Sequence, residues 1–337
     1  MDLPMANAHR AAIRSIERVV AETAPPQDPE LAHRGIAAML RRGSVLAMTG
    51  AGISTDSGIP DYRGPHGSLR SHRPMTYQEF KYDPAARHRY WARSFVGWRR
   101  MTLSGPNEGH RLVAALQHSG ALGGLVTQNV DGLHRRAGSP DVVTLHGDLG
   151  EVKCLNCGFV EPRPGLDRRL ADANPGYLER ISIDTDSVNP DGDVTLSPAQ
   201  IAEFSMVGCL SCGSVELKPD VVYFGENVPA ERKAAVRGLE ERSSGLLVIG
   251  SSLAVMSGYK LVLNAVAQGK QVGIINGGPS RGDAKADWRW RARVTPALAG
   301  SLRNWPAPEP EPGGDDDGRG PPCGGPRPFA WRWDQPA

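Results

Sequence analysis

The feature that most constrains this chain is the apolar run VLAM, which begins at Val45 and is followed at once by the glycine turn TGAG. The run predicts a buried strand of a parallel sheet. A Rossmann dinucleotide-binding fingerprint would carry a third glycine at the position of Thr55, where the crossover helix packs on the strand. No helical period follows Thr55. A polar, proline-broken loop that contains Asp61, Tyr62 and Arg63 takes the place of the helix.

Apolar runs recur at 124–128, 246–252 and 272–276, and each predicts another buried parallel strand. Helical patterns lie at 107–118 and 259–268. A further helix is expected to begin at the N-cap Asp28, with Pro29 in its first turn, and to end at Gly43. This alternation predicts an α/β fold, a Rossmann-like doubly wound parallel sheet.

Several segments interrupt the alternation. Residues 1–27 are polar and predict a mobile N-terminal arm, and 301–337 are rich in proline and glycine and predict a disordered tail. Residues 66–104 predict a helical segment with Tyr90, Trp91, Phe95 and Trp98 on its apolar face. The predicted catalytic domain spans 28–300, with its core at 28–65, 105–150 and 218–300, the helical segment at 66–104 and an inserted small zinc-binding domain at 151–217.

Composition excludes some function classes. The 337 residues carry a formal net charge of +2, which favours neither nucleic acid nor an anionic membrane as a partner. No apolar run approaches the roughly 20 residues of a membrane span, and the N-terminus lacks the apolar core of a signal peptide. We therefore expect a cytoplasmic protein. Arginine far outnumbers lysine, which favours a bacterial source.

The cysteines form two Cys-x-x-Cys pairs, CLNC and CLSC, with a fifth cysteine alone in the tail. Four thiolates can close a tetrahedral zinc site, and redox pairs or reduced bystanders are the alternatives. Two pairs of the same form in an intracellular chain favour structural zinc. The predicted ligands are Cys154, Cys157, Cys209 and Cys212. Cys323 is expected to be inert.

Polar side chains also follow the predicted strands. Gln128, Asn129 and Asp131 come where a core strand should finish, at the edge where open α/β sheets bind ligands, although turn and cap chemistry would use the same residues. His146 follows the strand-like DVVTL and could act as a general base near neutral pH, or could be a packed histidine; His134 competes for the role. The runs GSSL, from Gly250, and IIN, ending at Asn276, suit phosphate and ribose contacts or helix caps.

In this order, GAGISTDSGIPDYRG, TQNVDGLH, LHG, the two cysteine pairs, KPDVVYFGE and GSSL resemble the sirtuins, the Sir2 family of NAD-dependent protein deacylases. The resemblance is collinear over about residues 30–300. The segments RPMTYQEF, RYWARSFVGW and NPDGDVTLS are similar to class II sirtuins, the branch that contains sirtuin four. The resemblance implies an enzyme that cleaves NAD, removes an acyl group from lysine, and releases nicotinamide and O-acyl-ADP-ribose.

The resemblance also implies the roles of individual residues. His146 would be the general base, Asn129 would orient the ribose and catalytic water, and Asp131 would bind the carboxamide. The implied NAD contacts are Gly50, Ala51, Gly52, Thr55, Asp61, Tyr62, Arg63, Gln128, Asn129, Asp131, Gly250, Ser251, Ser252, Asn276, Gly277, Gly278 and Arg291. The implied contacts to an extended substrate peptide are Val222, Phe224, Gly225 and Glu226. Acyl-lysine proteins are the expected partners, NAD is the co-substrate beside one zinc ion, and a monomer is expected.

Three alternatives stay open. Class II sirtuins make protein mono-ADP-ribosyl transfer a rival activity, and a zinc-containing NAD-binding scaffold or sensor is a second. The third concerns the acyl group. Desuccinylating sirtuins carry a Tyr-x-x-Arg motif shortly after the loop that contains Asp61 to Arg63, and this chain has no such motif there. Acidic acyl groups are therefore less favoured, although Arg70 or Arg73 could reach the pocket. Tyr90 and Arg93 have the same spacing but lie in the helical segment.

Overall fold

The computed structural model describes residues 3–65, 67–70, 73–181 and 190–302. In that part of the chain the strands are β1 (Val45–Thr49), β2 (Leu122–Thr127), β3 (Val142–Thr144), β4 (Gly147–Cys154), β5 (Val160–Pro162), β6 (Leu217–Val221), β7 (Gly245–Ile249), β8 (Gln271–Asn276) and β9 (Trp288–Arg291). The helices are α1 (Leu3–Ile16), α2 (Pro29–Arg41), α3 (Tyr77–Tyr82), α4 (Pro84–Leu103), α5 (Glu108–His118), α6 (Leu133–Arg136), α7 (Arg163–Ala173), α8 (Pro198–Glu203), α9 (Ala230–Arg242), α10 (Met256–Ala267) and α11 (Val294–Leu302). None of the helices in these ranges is long and apolar enough to span a membrane. The expected disordered tail and Cys323 lie outside the described residues.

The main sheet is parallel and has the strand order β3-β2-β1-β7-β8-β9. Along β1, Val45 and Ala47 join an apolar cluster with α2, α5 and α11. The alternate residues Leu46 and Met48 join a second cluster with α9 and α10 on the other face. Helices therefore cover both faces of the sheet, which confirms the predicted doubly wound fold.

Local sequence explains the element boundaries. The Asp28 side chain accepts a hydrogen bond of 3.0 Å from the Leu31 amide and caps α2, and Pro29 occupies the first turn. The chain leaves α2 at Gly43, whose φ of +77° suits glycine. After β1, two short 3-10 turns at Ala51–Ile53 and Thr55–Ser57 replace a crossover helix, as the sequence predicted.

A smaller sheet, β5-β4-β6, is antiparallel and includes residues on both sides of the predicted 151–217 insertion. Its core is shared with the helical segment. Trp91 and Phe95 of α4 are fully buried in one cluster with Val152 of β4 and Leu166 of α7. The Trp91 indole donates 2.8 Å to the Leu217 carbonyl, so α4 is joined to β6 by a buried hydrogen bond.

Residues 3–16 form α1, and this packing differs from the mobile arm that we expected for 1–27. Ala12 and Ile16 of α1 are buried at 2% and 6% exposure, and the helix contacts α3. Several of the apolar residues of α1 are alanines, which give a weak periodic signal, and the partners of the helix lie far away in the sequence. Composition alone did not indicate that this helix packs on the rest of the protein.

Candidate active site

The loops after β1 and β7 meet at the carboxyl edge of the sheet, between the two strands where the order reverses. This is the crevice in which open α/β sheets bind ligands. The Gly52 amide donates 2.9 Å to the Gly250 carbonyl. A Cβ atom on Gly52 would lie 2.9 Å from the Gly250 Cα, and Gly250 itself has a φ of +63°. Only glycine permits this approach.

A buried hydrogen-bond network lies beside this crossing and is centred on the Ser54 hydroxyl. Asn129 Nδ2 donates to Ser54 Oγ at 3.0 Å and to the Gly50 carbonyl at 3.1 Å, and Ser54 Oγ donates to Asp131 Oδ2 at 2.7 Å. His110 Nε2 lies 3.4 Å from Ser54 Oγ. Both amide hydrogens of Asn129 are therefore used inside the protein, and its side-chain oxygen is the group left to accept a hydrogen bond.

The protonation states of this network follow from its partners. His110 Nδ1 accepts from the Asn107 amide at 3.3 Å, so its proton is on Nε2 and points to Ser54. Burial lowers the pKa of His110 to about 4 and keeps the ring neutral. Burial raises the pKa of Asp131, against hydrogen bonds from the Leu133 amide and Ser54. The Leu133 bond is the turn chemistry that the sequence offered as the alternative to ligand binding at Asp131.

His146 is held in one tautomer. Its Nδ1 lies 3.1 Å from the Gln128 carbonyl, which can only accept, so Nδ1 carries the proton. Nε2 therefore has a lone pair and accepts from the Ser257 hydroxyl at 2.7 Å. Burial lowers the pKa of His146 to about 4, so the imidazole is neutral at pH 7. A Cβ on Gly147 would lie 1.8 Å from the Asp220 carbonyl oxygen, so glycine is required directly after His146.

The histidine that competed for this role sits elsewhere. His134 is 2% exposed, and its Nε2 lies 2.9 Å from Thr49 Oγ1 beneath the network. Its ring packs edge-on against His110, with centroids 4.8 Å apart. Burial lowers the pKa of His134 to about 3. His134 is thus a packed core histidine.

The cofactor loop that follows Gly52 is held by its own backbone. Asp61 Oδ1 accepts from the Gly64 amide at 2.6 Å, and the Tyr62 carbonyl accepts from the Leu69 amide at 3.1 Å. Desolvation raises the pKa of the partly buried Tyr62. Thr55 is exposed and donates to the Gly52 carbonyl at 3.1 Å.

Arg63 is turned toward α1. Its Nη2 donates to the carbonyls of Ser15 at 3.1 Å and Ile16 at 3.3 Å, and its Nε donates to Arg18 at 3.4 Å. These are carbonyls at and after the end of the helix, where backbone acceptors lack intrahelical partners. The predicted cofactor residue is therefore fixed by the N-terminal segment, a contact that the sequence gave no signal for.

The remaining predicted cofactor residues line the same edge of the sheet. Ser251 Oγ donates to Gln128 Oε1 at 2.7 Å and joins the loop after β7 to the strand end of β2. Ala51, Ser252 and Gly278 are partly buried there, and Gly277 is exposed. A narrow cleft at the end of β8 is lined by Ile274, Asn276, Gly278, Asp283, Arg289, Trp290 and Arg291.

The segment predicted to bind a peptide follows β6 and is held from both sides. The Val222 amide donates to the His146 carbonyl at 2.7 Å, and the Phe224 carbonyl accepts from Tyr77 at 2.9 Å. Glu226 pairs with the buried Lys218 at 3.1 Å. The backbone of this segment thus lies next to the candidate base, and its exposed Gly225 has a φ of +85°.

The four predicted metal ligands come together. Their sulfur atoms all lie within 4.8 Å of one another, and the 154–212 and 157–209 sulfur pairs are both 3.7 Å apart. None of these cysteines forms a disulfide. A regular tetrahedron with Zn–S bonds of about 2.3 Å would place its sulfurs about 3.8 Å apart. The donor set therefore fits a structural zinc ion.

Sequence reasoning missed three residues that the geometry singles out. Ser54 lies inside the quoted glycine-loop motif, yet its hydroxyl joins Asn129, Asp131 and His110. The helix that begins after Asn107 was predicted, but His110 in its first turn was not singled out as a partner of Ser54. Ser257, which contacts the candidate base, carried no signal.

The fold and the glycine crossing define a dinucleotide-binding α/β protein with a four-thiolate metal site. The chain belongs to the Sir2 family, whose model matches residues 50–257. NAD-dependent protein deacetylase 1 of Corynebacterium efficiens is 59% identical over 264 residues, 78% of this chain and 94% of the relative. NAD-dependent protein deacylase Sirt4 of Drosophila melanogaster is 42% identical over 258 residues, 76% and 81% of the two chains. A solved structure of a Sir2 protein with a p53 peptide and NAD+ is 30% identical, with a TM-score of 0.62 over 80% of this chain and 96% of that one.

Proposed function

We propose that this protein is an NAD-dependent protein lysine deacylase that releases nicotinamide and O-acyl-ADP-ribose. The observation that carries the proposal is His146, a neutral imidazole with its lone pair on Nε2 at the carboxyl edge of the sheet. A general base needs that protonation state at neutral pH. The two named relatives, a deacetylase and a deacylase, support the same activity.

Each side chain then has a role that its hydrogen bonds support. The close approach of Gly52 and Gly250 would let the backbone come near the pyrophosphate, and Asn276 would bind the adenosine ribose. The side-chain oxygen of Asn129 would accept a hydrogen bond from a ribose hydroxyl or a water. His146 would take a proton at Nε2 after the Ser257 hydroxyl turns away. Bound NAD supplies the ADP-ribosyl group that receives the acyl group.

The substrate peptide would lie as an extended strand between residues 221–226 and 254–258. Addition of a strand reads backbone more than side chains, so a range of protein substrates is expected. The related Sir2 structure with a p53 peptide supports proteins as partners, and we propose a cytoplasmic monomer.

Neutral acyl groups are favoured over acidic ones. Arg73 Nη1 donates to Glu79 Oε2 at 3.1 Å, and its other terminal nitrogen pairs with Oε1. Arg93 pairs with the buried Asp193 at 2.9 Å. Each of these arginines already faces a carboxylate, which supports acetyl or longer uncharged chains as substrates.

The test is mass spectrometry of the wild type and His146→Ala, each with NAD and acetyl-, succinyl- and lipoyl-lysine peptides. The wild type should give deacylated peptide and O-acyl-ADP-ribose in equal amounts, and the variant should give neither. His118→Ala, at an exposed histidine of α5, is the matched control and should behave as wild type.

Two other outcomes would overturn the proposal. ADP-ribose attached to protein, with nicotinamide release and no deacylation, would identify a mono-ADP-ribosyltransferase. No NAD consumption with any peptide, despite NAD binding, would identify a scaffold or sensor.

A further inference from the structure

Residues 3–27, which we call the N-terminal brace, contact both of the regions to which the two substrates are assigned. The first contact is on the peptide side. His9 Nδ1 lies 3.2 Å from Thr76 Oγ1, and Thr76 is paired with Phe224. A Cβ atom built on Gly225 would lie 3.0 Å from the Cβ of the buried Ala12. Helix α1 therefore packs directly on the peptide-binding segment.

The second contact is with the cofactor loop. The guanidinium of Arg63 donates to three carbonyls at and after the C-terminal end of α1. This end of a helix carries partial negative charge, so a cation is stabilised there. Only Nε and Nη2 of Arg63 take part.

The third contact is with β9. Gln27 exchanges hydrogen bonds with the Arg289 backbone at 2.7 and 3.2 Å and donates to the Asp287 carbonyl at 3.0 Å. Between this anchor and α1, Glu22 pairs with Arg291 at 3.2 Å. The brace thus runs from the peptide-binding segment, past the cofactor loop, to Arg291, which is one of the residues predicted to contact NAD.

We propose that the N-terminal brace is a positioning element of the active site, an inference that rests on the proposed function. Helix α1 fixes the cofactor loop through Arg63 and the peptide-binding segment through Gly225, so that both substrates meet loops that are already ordered. Ordering a loop before binding removes that entropic cost from the binding step. The brace therefore strengthens binding of both substrates and leaves the chemical step unchanged.

The test compares Ala12→Arg with Ala11→Arg in the full chain. Ala12 is buried against Gly225, whereas Ala11 is exposed on the same helix, so the same substitution displaces α1 only at position 12. Ala12→Arg should raise KM for NAD and for an acetyl-lysine peptide by about tenfold each, with kcat within about twofold of wild type. The Kd for ADP-ribose, measured by calorimetry, should rise by a similar factor. Ala11→Arg should match the wild type in every value.

Equal ADP-ribose affinity in the two variants would overturn the proposal. Tighter binding by Ala12→Arg would overturn it too, because the brace would then be an inhibitor. If Ala12→Arg does not fold, Ala12→Leu should give the same direction with a smaller shift. A wild type that lacks deacylase activity would refute the proposed function. Comparison of the ADP-ribose affinities of the wild type and the two variants would still decide the role of the brace.

Discussion

The carboxyl edge of the large sheet and the cysteine cluster of the small sheet are stabilised in opposite ways. At the sheet edge, polar groups are neutral or share protons, and the protein itself supplies their partners, as Ser54 does for His110 and Asn129. In the cluster, four sulfurs lie within 4.8 Å without a disulfide. Thiolates this close repel one another unless a cation lies between them. The comparison indicates that the sheet edge needs only the protein's own groups to fold, whereas the cysteine cluster needs a metal ion.

Removal of the metal should produce the largest difference in stability between the two regions. A structural zinc ion contributes about 10–16 kcal/mol in zinc-finger peptides, so chelation or Cys154→Ser should unfold the small sheet while β1 and β7 keep their protection. Hydrogen exchange resolved by segment measures this. Cys323→Ser, at the fifth cysteine, should have no effect. A metal-free protein with a fully protected small sheet would show that zinc is not structural.

A substitution where Gly52 approaches Gly250 should have the next largest effect. In Gly52→Ala the new Cβ meets the Gly250 backbone at 2.9 Å, and we expect a loss of about 3 kcal/mol in unfolding free energy together with weaker NAD binding. Gly105→Ala, in the exposed loop before α5 and outside the predicted site, is the matched control, since its new Cβ would meet nothing within 4 Å. Urea denaturation and calorimetry with NAD measure both effects. Equal stabilities of the two variants would contradict the close approach.

The Ser54 network should show a smaller effect. Ser54→Ala removes the partner of Asn129, Asp131 and His110 at once, and buried groups left without partners cost about 2 kcal/mol. Denaturant unfolding measures the loss, and kcat should fall because Asn129 is no longer fixed. Ser119→Ala, at the C-cap of α5, should cost far less. A fully stable and active Ser54→Ala would mean that the network does not position Asn129.

Mildly acidic pH should reduce the stability of the large sheet by the smallest amount for each residue concerned, here each buried histidine. Burial lowers the pKa values of His110 and His134 from 6.5 to about 4 and about 3, so below pH 6.5 the unfolded chain binds protons that the folded protein does not. Stability is therefore complete above pH 6.5 and falls as the pH decreases toward 4, by about 1 kcal/mol for each histidine at pH 5.5.

Urea midpoints at pH 7.5 and 5.5 measure this dependence. His134→Gln should reduce the difference between the two midpoints, and His118→Gln, at an exposed histidine, should leave it unchanged. Exchange of the β1 amides reports on the large sheet alone, so acid release of metal from the cysteines does not confuse the result. Equal midpoints at the two pH values in the wild type would contradict neutral buried histidines.

Much of the fold could be predicted because its signals are local. The strands at 45–49 and 245–249 are short apolar runs, and Asp28 with Pro29 marks the start of α2 within a few residues. The two cysteine pairs also carry their spacing in the sequence. Their meeting was predictable because metal chemistry demands four ligands.

The rest depends on contacts between distant residues. Ser54 and Asp131 are 77 positions apart, and Arg63 reaches back 48 positions to Ser15. Helix α1 packs Ala12 on a surface that exists only after the loops around Thr76 and Gly225 have formed. Periodicity reports one face of an element and cannot identify what covers it.

The pairing of β4 with β6 lets the unit inserted between them vary without a change in the large sheet. The chain leaves the large sheet through β4 and returns through β6, and Gly147 lies opposite Val221 at the base of the pair. The entry and exit of the inserted unit are therefore neighbours, so its length hardly alters the entropy of closing the loop between them. A unit joined in this way can be exchanged for another as a whole. Recombination could replace it without changing the register of any parallel strand.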